Sequence, residues 1–224
     1  MVRTSRENRW YILPPARNHS RQLVNTSLYL YPLPVLELPP PLEQVRDILQ
    51  RCGFLGDELA PGRFQAGADF LAHVTFAGCS PCLELEPPPS GGWNFCHIRL
   101  QESERVGLVT APQRGRPRCP RCRAAVPAWK EMLPRWARDA SLAWRCSECG
   151  GEMAAAELDW RQYGVAARQL VEICQVWPGE AVPGDGLLRA LAEGTAREWR
   201  HAWAASQAAA SAALGSSSSM LTGK

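Results

Sequence analysis

The chain has no run of about 18 uncharged apolar residues, the length that a membrane-spanning helix needs. Its opening residues, MVRTSRENRW, lack the apolar stretch of a secretory signal. The expectation from both absences is a cytoplasmic protein that does not engage membranes. Catalytic signatures are missing as well. There is no G-x-x-x-x-G-K-[ST] to cradle phosphates, no G-x-G-x-x-G for a dinucleotide, no H-E-x-x-H for a zinc protease and no G-x-S-x-G nucleophile turn. Only four histidines occur, and they are scattered. His19 and His201 read as surface residues, while His73 and His97 read as satisfied sheet residues rather than general bases. These gaps tilt the reading from enzyme toward binding protein.

What is present is cysteine. Nine is an odd count, and four of the nine stand in two short pairs, CPRC at Cys119 and Cys122 and CSECGG at Cys146 and Cys149. Thiolates two residues apart reach one tetrahedral ion from a tight turn, and two such turns complete a four-sulfur shell. Pro120, Gly150 and Gly151 supply the bends. No H-x-E precedes CPRC, as a nucleobase deaminase would require. The module resembles a zinc ribbon, at these four positions and over about one seventh of the chain. The resemblance implies one structural Zn²⁺ with no coordination position left for water or substrate. The 23 residues between the pairs exceed the usual spacing, which points to a helical insertion at 128–138. The overall layout resembles that of uncharacterised bacterial proteins.

Two further constellations stand apart from the ribbon. Cys79 and Cys82, with His73 as an additional ligand, are candidates for a second metal site or, through the CSPC spacing, a thiol-redox pair. LELEPPP follows CSPC where a redox fold would start a helix, which disfavours the redox role. Cys96 and His97 are strand neighbours and leave opposite faces of a sheet, so one ion cannot easily take both. Charge supplies the other constellation. Between Arg114 and Arg145, nine Lys and Arg face two acids, so this window carries +7 of a chain whose net charge is +3. Arg121 and Arg123 screen the thiolates, and Arg114, Arg116, Arg118, Arg121 and Arg123 form a candidate phosphate-contacting run. Trp129, Trp136 and Trp144 offer faces for base stacking, or else fill the ribbon's own core.

Apolar patterning predicts the elements. Leu28–Leu38 reads as a strand confined to an edge or broken by Pro32 and Pro34. Pro41 opens a helix in which Leu42, Val45, Ile48, Leu49 and Cys52 share a face, with Gly53 as its stop. Residues 56–67 read as a loop. Phe70–Phe76 reads as a strand in a hairpin with 83–86, and Phe95–Leu100 as another, onto which Val106–Val109 folds back. Pro134 kinks or splits the insertion helix. Leu170–Trp177 is a buried strand, Asp185 caps a helix that Gly194 ends, and 197–213 is a final helix. The strand, Pro-bounded loop and helix near 28–52 recur near 170–193. The fold class expected is α+β, a mainly antiparallel sheet with a few helices and an inserted zinc ribbon. Residues 1–110 and 156–210 form the halves of one core, 111–155 the ribbon and 211–224 a disordered tail. The function expected is a non-enzymatic zinc-binding protein that recognises a protein partner, with nucleic acid as the alternative partner and thiol redox chemistry third.

Overall fold

The computed structural model describes residues 26–76, 83–111, 115–176 and 181–205. It is an α+β fold built on one six-stranded antiparallel sheet. The sheet opens with β1 (Thr26–Pro32), which leads through a proline-rich turn into α1 (Leu42–Arg51). A hairpin follows, β2 (Leu55–Ala60) and β3 (Arg63–Ala66), then one turn of helix, α2 (Phe70–His73), and the short β4 (Val74–Phe76). The long β5 (His97–Thr110) runs out of the core to the cysteine segment, which holds α3 (Trp129–Trp136), β6 (Ala143–Arg145) and β7 (Glu152–Ala154). The chain returns along β8 (Gly164–Ile173) and closes with β9 (Ala181–Pro183), α4 (Asp185–Thr195) and β10 (Trp199–Ala205). The sheet order is β10-β1-β8-β5-β3-β2, with β4–β9 and β6–β7 as separate two-stranded pairs.

One face of the sheet carries the main core. Leu28, Leu30, Ile98, Leu100, Val171 and Ile173 project toward α1 and α4, which answer with Val45, Ile48, Leu49, Leu187 and Leu191. Each fully buried aliphatic side chain contributes about 1.5–3 kcal/mol relative to exposure. The two helices pack closely enough that a Cβ at Gly194 would stand 2.5 Å from Ile48 Cδ1. Gly194 therefore serves helix approach inside α4 and does not end it. Gly184 is the flanking residue, Asp185 is already helical, and Asp185 makes no cap hydrogen bond. Pro41 likewise precedes α1, and Cys52, half-buried, flanks its end with Sγ 3.3 Å from Leu49 O.

Several elements differ from the sequence expectation, each for a tertiary reason. β1 lies inside the sheet, between β10 and β8, so of the two alternatives the strand is broken, ending at Pro32, rather than at an edge. Its ladder with β8 covers only Leu28, Tyr29 and Leu30, so Pro32, which has no N–H to give, sits past the end of that ladder. Residues 56–67 contain the β2–β3 hairpin, because β3 pairs with β5 and anchors Phe64. In the Phe70–Phe76 stretch, Phe70 and Val74 are buried while Leu71 is exposed. That is i, i+4 spacing, and a helical turn precedes a three-residue strand. β4 pairs with β9, and 83–85 is not a strand. Val106–Val109 does not fold back but continues β5, whose ladder with β8 is irregular between Glu102 and Gly107. Pro134 lies inside α3 without splitting it.

The largest reversal is at the C-terminal side. Residues 199–205 are strand, not helix, and pair with β1 from Thr26↔Ala205 to Pro32↔Trp199. Trp199 and Trp203 share a face in a strand as well as in a helix, and here both enter the main core. Ala202 and Ala204 pack on the other face, against Tyr29, Val165, Ala167 and Leu170. Alanine's helix preference is a few tenths of a kcal/mol per residue over most residues and yields to burial of two indoles. Residues 206–213 of the expected helix and the 211–224 tail lie outside the described residues.

Candidate metal centre

The four cysteines of the two pairs converge, with their sulfurs all within 4.8 Å of one another. Each pair sits in a turn of the same construction. In the first, Arg123 N donates to Cys119 O (2.9 Å) and Cys119 N to Ala124 O (2.8 Å). In the second, Gly150 N donates to Cys146 O (3.0 Å) and Cys146 N to Gly151 O (2.9 Å). The residue after each pair is left-handed, Arg123 at φ 65° and Gly150 at φ 66°. Glycine meets that requirement freely in the second turn, while arginine bears a strain of about 1 kcal/mol in the first. The two turns face each other with one buried and one exposed cysteine apiece.

The donor set fits a tetrahedral four-thiolate ion. With metal–sulfur bonds of about 2.3 Å, the sulfurs of such a site lie about 3.8 Å apart. Cys119 Sγ is 3.8 Å from Cys149 Sγ and Cys122 Sγ is 3.7 Å from Cys146 Sγ. The thiols also compete for protons. Backbone N–H groups of Cys122 and Arg121 favour the Cys119 thiolate against its burial and hold it down to about 7. At Cys122 the Ala124 N–H acts in the same sense, but burial and the sulfurs of Cys146, Cys119 and Cys149 prevail and push the thiol up to about 12. A cation is the group that would let all four sulfurs ionise together.

Around the sulfurs the segment has its own small core. Trp160 stands at its centre, edge-on to Trp129 (centroids 5.9 Å) and Trp136 (6.1 Å), and donates its Nε1–H to Ala155 O at 3.0 Å. Val106 and Leu108 of β5 and Ala166 of β8 continue this cluster, so the metal segment is packed onto the far end of the β5–β8 ladder. Of the three tryptophans considered for base stacking, Trp129 and Trp136 are therefore buried and Trp144 is half-buried. They fill the core.

The arginine run is dispersed by the fold. Arg121 lies against Gly151, where a Cβ would be 3.0 Å from its Cδ and 3.3 Å from Cys149 Sγ. Arg123 Nη1 is 3.5 Å from Asp159 Oδ2. Arg118 is half-buried and its main chain pairs with Asp159 in both directions, while Arg116 is exposed and Arg114 lies outside the described residues. Folding also brings in acids that the linear window left out. Over residues 115–163, nine Lys and Arg now face six Asp and Glu. Glu148, Glu152, Glu157 and Asp159 reduce the excess from +7 to +3, and of these Asp159 pairs with Arg123. His73 Nε2 lies 2.7 Å from Cys52 O, at the end of α1. Cys79 and Cys82 are outside the described residues, so no geometry joins them to His73.

The sequence reading passed over a second polar cluster, on the sheet face opposite the helices. Arg63, Arg99, Glu172 and Tyr29 stand in one row across four strands. Glu172 is fully buried. Its Oε2 accepts from Arg99 Nη1 (2.8 Å) and Gln101 Nε2 (2.7 Å), and its Oε1 accepts from Ser27 Oγ (2.8 Å) and lies 3.0 Å from the Tyr29 hydroxyl. His97 is buried beside this row, its ring tilted against those of Trp93 and Phe95, and burial lowers its pKa against the opposing Phe95 carbonyl bond. The only trace of the cluster in the sequence was a lone glutamate within the apolar β8 stretch. No helix among the described residues is long and apolar enough to cross a membrane. No protein-family profile matches this chain, and no curated protein and no solved structure resembles it significantly.

Proposed function

We propose that this is a cytoplasmic, non-enzymatic zinc-binding protein in which one structural Zn²⁺, held by Cys119, Cys122, Cys146 and Cys149, stabilises a surface that recognises a protein partner. The observation that carries the reading is the pair of matched turns whose four sulfurs lie within 4.8 Å of one another, with Cys119–Cys149 at 3.8 Å and Cys122–Cys146 at 3.7 Å. Four thiolates complete the shell of a zinc ion and leave no site for a reacting group, so the metal's contribution is folding free energy. In this reading 111–155 is a ribbon inserted between two halves, 1–110 and 156–210, of one core.

A protein partner is favoured over nucleic acid by the burial of Trp129 and Trp136 and by a charge of only +3 over 115–163, against +7 over 114–145. Four thiolates on Zn²⁺ remove a further two positive charges from that balance. What supports nucleic acid as a second reading is the exposure of Arg116, Arg121 and Arg123. Two measurements test the proposal together. Elemental analysis of the purified protein should give one zinc per chain, lost in Cys146→Ser. Fluorescence polarisation with labelled single-stranded and duplex DNA and RNA should show no salt-sensitive binding from low to physiological salt. Absence of zinc overturns the metal assignment. Binding that weakens with salt and disappears when the exposed arginines become Ala makes the protein a nucleic-acid binder.

A further inference from the structure

Among the described residues the sheet has two edges, β10 and β2. β2 is blunted by Asp57 and Glu58 and by register shifts against β3. β10 is different, and two hydrogen bonds fix which of its main-chain groups face outward. Leu33 N donates to Glu198 O (2.8 Å), toward β1, and Trp203 N donates to Gln162 O (2.7 Å), away from it. Alternation then turns Arg200, Ala202 and Ala204 toward β1 and leaves Trp199, His201, Trp203 and Ala205 facing out. Gln162 takes the Trp203 N–H, and the Tyr29 hydroxyl reaches Ala205 O at 2.8 Å. Among the described residues the outward N–H and C=O groups of Trp199 and His201 take no main-chain partner, and both residues line a cleft of about 1110 Å³.

The opposite wall of this cleft belongs to the metal segment: Pro120 and Arg123 from the first cysteine turn, and Glu157 to Gln162 before β8. Four of the six non-glycine residues with positive φ line it, namely Arg123, Arg161, Gln162 and Ala196. Strained backbone of this kind concentrates at sites of function. Of the four arginines in the cleft, Arg123, Arg197 and Arg200 have carboxylate partners in Asp159, Glu37 and Glu198. Arg161 has none among the described residues.

We infer that the open edge of β10 binds an extended peptide of a protein partner as an added strand, with an acidic side chain of that peptide meeting Arg161. Main-chain bonds to Trp199 and His201 supply affinity, and Arg161 with the left-handed turn at Arg161 and Gln162 supplies selectivity. The inference rests on the protein-recognition reading and narrows it to one edge and one class of partner. The metal enters indirectly, because the turn that binds it also sets Arg123 and Pro120 in the cleft wall.

The test is to pan a phage-displayed random dodecapeptide library against the full-length, zinc-loaded protein at physiological salt. Enriched peptides are then measured by fluorescence polarisation against wild type, His201→Pro and Arg161→Glu, and as versions N-methylated at alternate residues. His201→Pro removes an outward N–H while the bonds of Arg200 and Ala202 to β1 remain. Peptides carrying an acidic residue are expected, with affinity falling about tenfold in His201→Pro and severalfold in Arg161→Glu. N-methylation in one alternate register should abolish binding, and the Trp199 and His201 amides should gain hydrogen-exchange protection. N-methylation keeps the test valid if His201→Pro fails to fold.

Peptides that bind with neither N-methylation sensitivity nor protection at Trp199 and His201 overturn strand addition but leave a protein partner in place. No enrichment overturns the inference, and if it comes with salt-sensitive nucleic-acid binding, both readings fall. Dimerisation of the wild type through this edge, lost in Arg161→Glu, would overturn a foreign partner in favour of a second copy.

Discussion

Replacing Glu172 with Ala should be among the most costly single changes in the sheet. The carboxylate is fully buried, and among the described residues four polar side chains from two strands converge on it: Ser27 and Tyr29 from β1, Arg99 and Gln101 from β5. Without it, Arg99 and Arg63, directly opposite each other on adjacent strands, keep their charges and lose the anion between Arg99 and β1. Arg63 already has its pKa lowered, by burial first and by Arg99 second. Removing one member of a buried ion pair costs about 3–5 kcal/mol. That is a large share of the roughly 5–15 kcal/mol by which such domains are stable. Urea unfolding followed by tryptophan fluorescence measures the loss. Glu172→Gln keeps the shape but not the charge and should cost about 1.5–3 kcal/mol. Arg99→Met should also destabilise, and the double change Glu172→Leu with Arg99→Met should cost less than the sum of the separate changes by more than about 1 kcal/mol. A Glu172→Ala protein within about 0.5 kcal/mol of wild type, or strictly additive single costs, would refute the reasoning.

Other consequences follow from the same geometry. Gly150→Ala meets open space, with Arg145 Nη2 at 3.9 Å, so its effect is the backbone strain at φ 66° alone. It should weaken zinc affinity about fivefold in competition with a chromogenic chelator, for a strain of about 1 kcal/mol. Trp160→Ala removes the ring between Trp129 and Trp136 and should cost about 3–5 kcal/mol, with faster hydrogen exchange through 126–158 before the main sheet is affected. His97 and His201 both have pKa values lowered by burial, so the folded state binds fewer protons than the unfolded chain once pH drops below about 6.5. Their contribution is fully present above that pH and is lost as pH falls toward the folded values. The urea midpoint should decline from pH 7.5 to 5.5, and His97→Gln should flatten that decline.

The metal ligands were legible because a doubled C-x-x-C spacing is a local signal, and so was α1, whose apolar face repeats over ten residues. β8 was legible only in its apolar end, Leu170–Ile173: the expected strand ran on to Trp177, where 174–176 is not strand, and missed 164–169, whose Arg168 and Gln169 interrupt the apolar run. β10 was not, because Trp199 and Trp203 occupy one side of either a helix or a strand, and the alanines between them favoured the helix. The β2–β3 hairpin was hidden because only Leu55 and Phe64 of LGDELA and RFQA are buried, so no alternating apolar face marks the strands, and their pairing depends on β5. The Glu172 network could not be read because its members lie up to 145 residues apart.

Sequence alone determined that two pairs of thiolates stand at metal-binding spacing, that the chain alternates strand and helix in an α+β manner, and that arginines crowd the first cysteine turn. Each of these is set by chemistry within a few residues. Tertiary structure decided what the arginines and tryptophans are used for. Packing put Trp129 and Trp136 around Trp160, folding brought Asp159 to Arg123, and strand order left the outer edge of β10 facing the metal turn. Those outcomes depend on contacts between distant segments, whose energies no local pattern encodes.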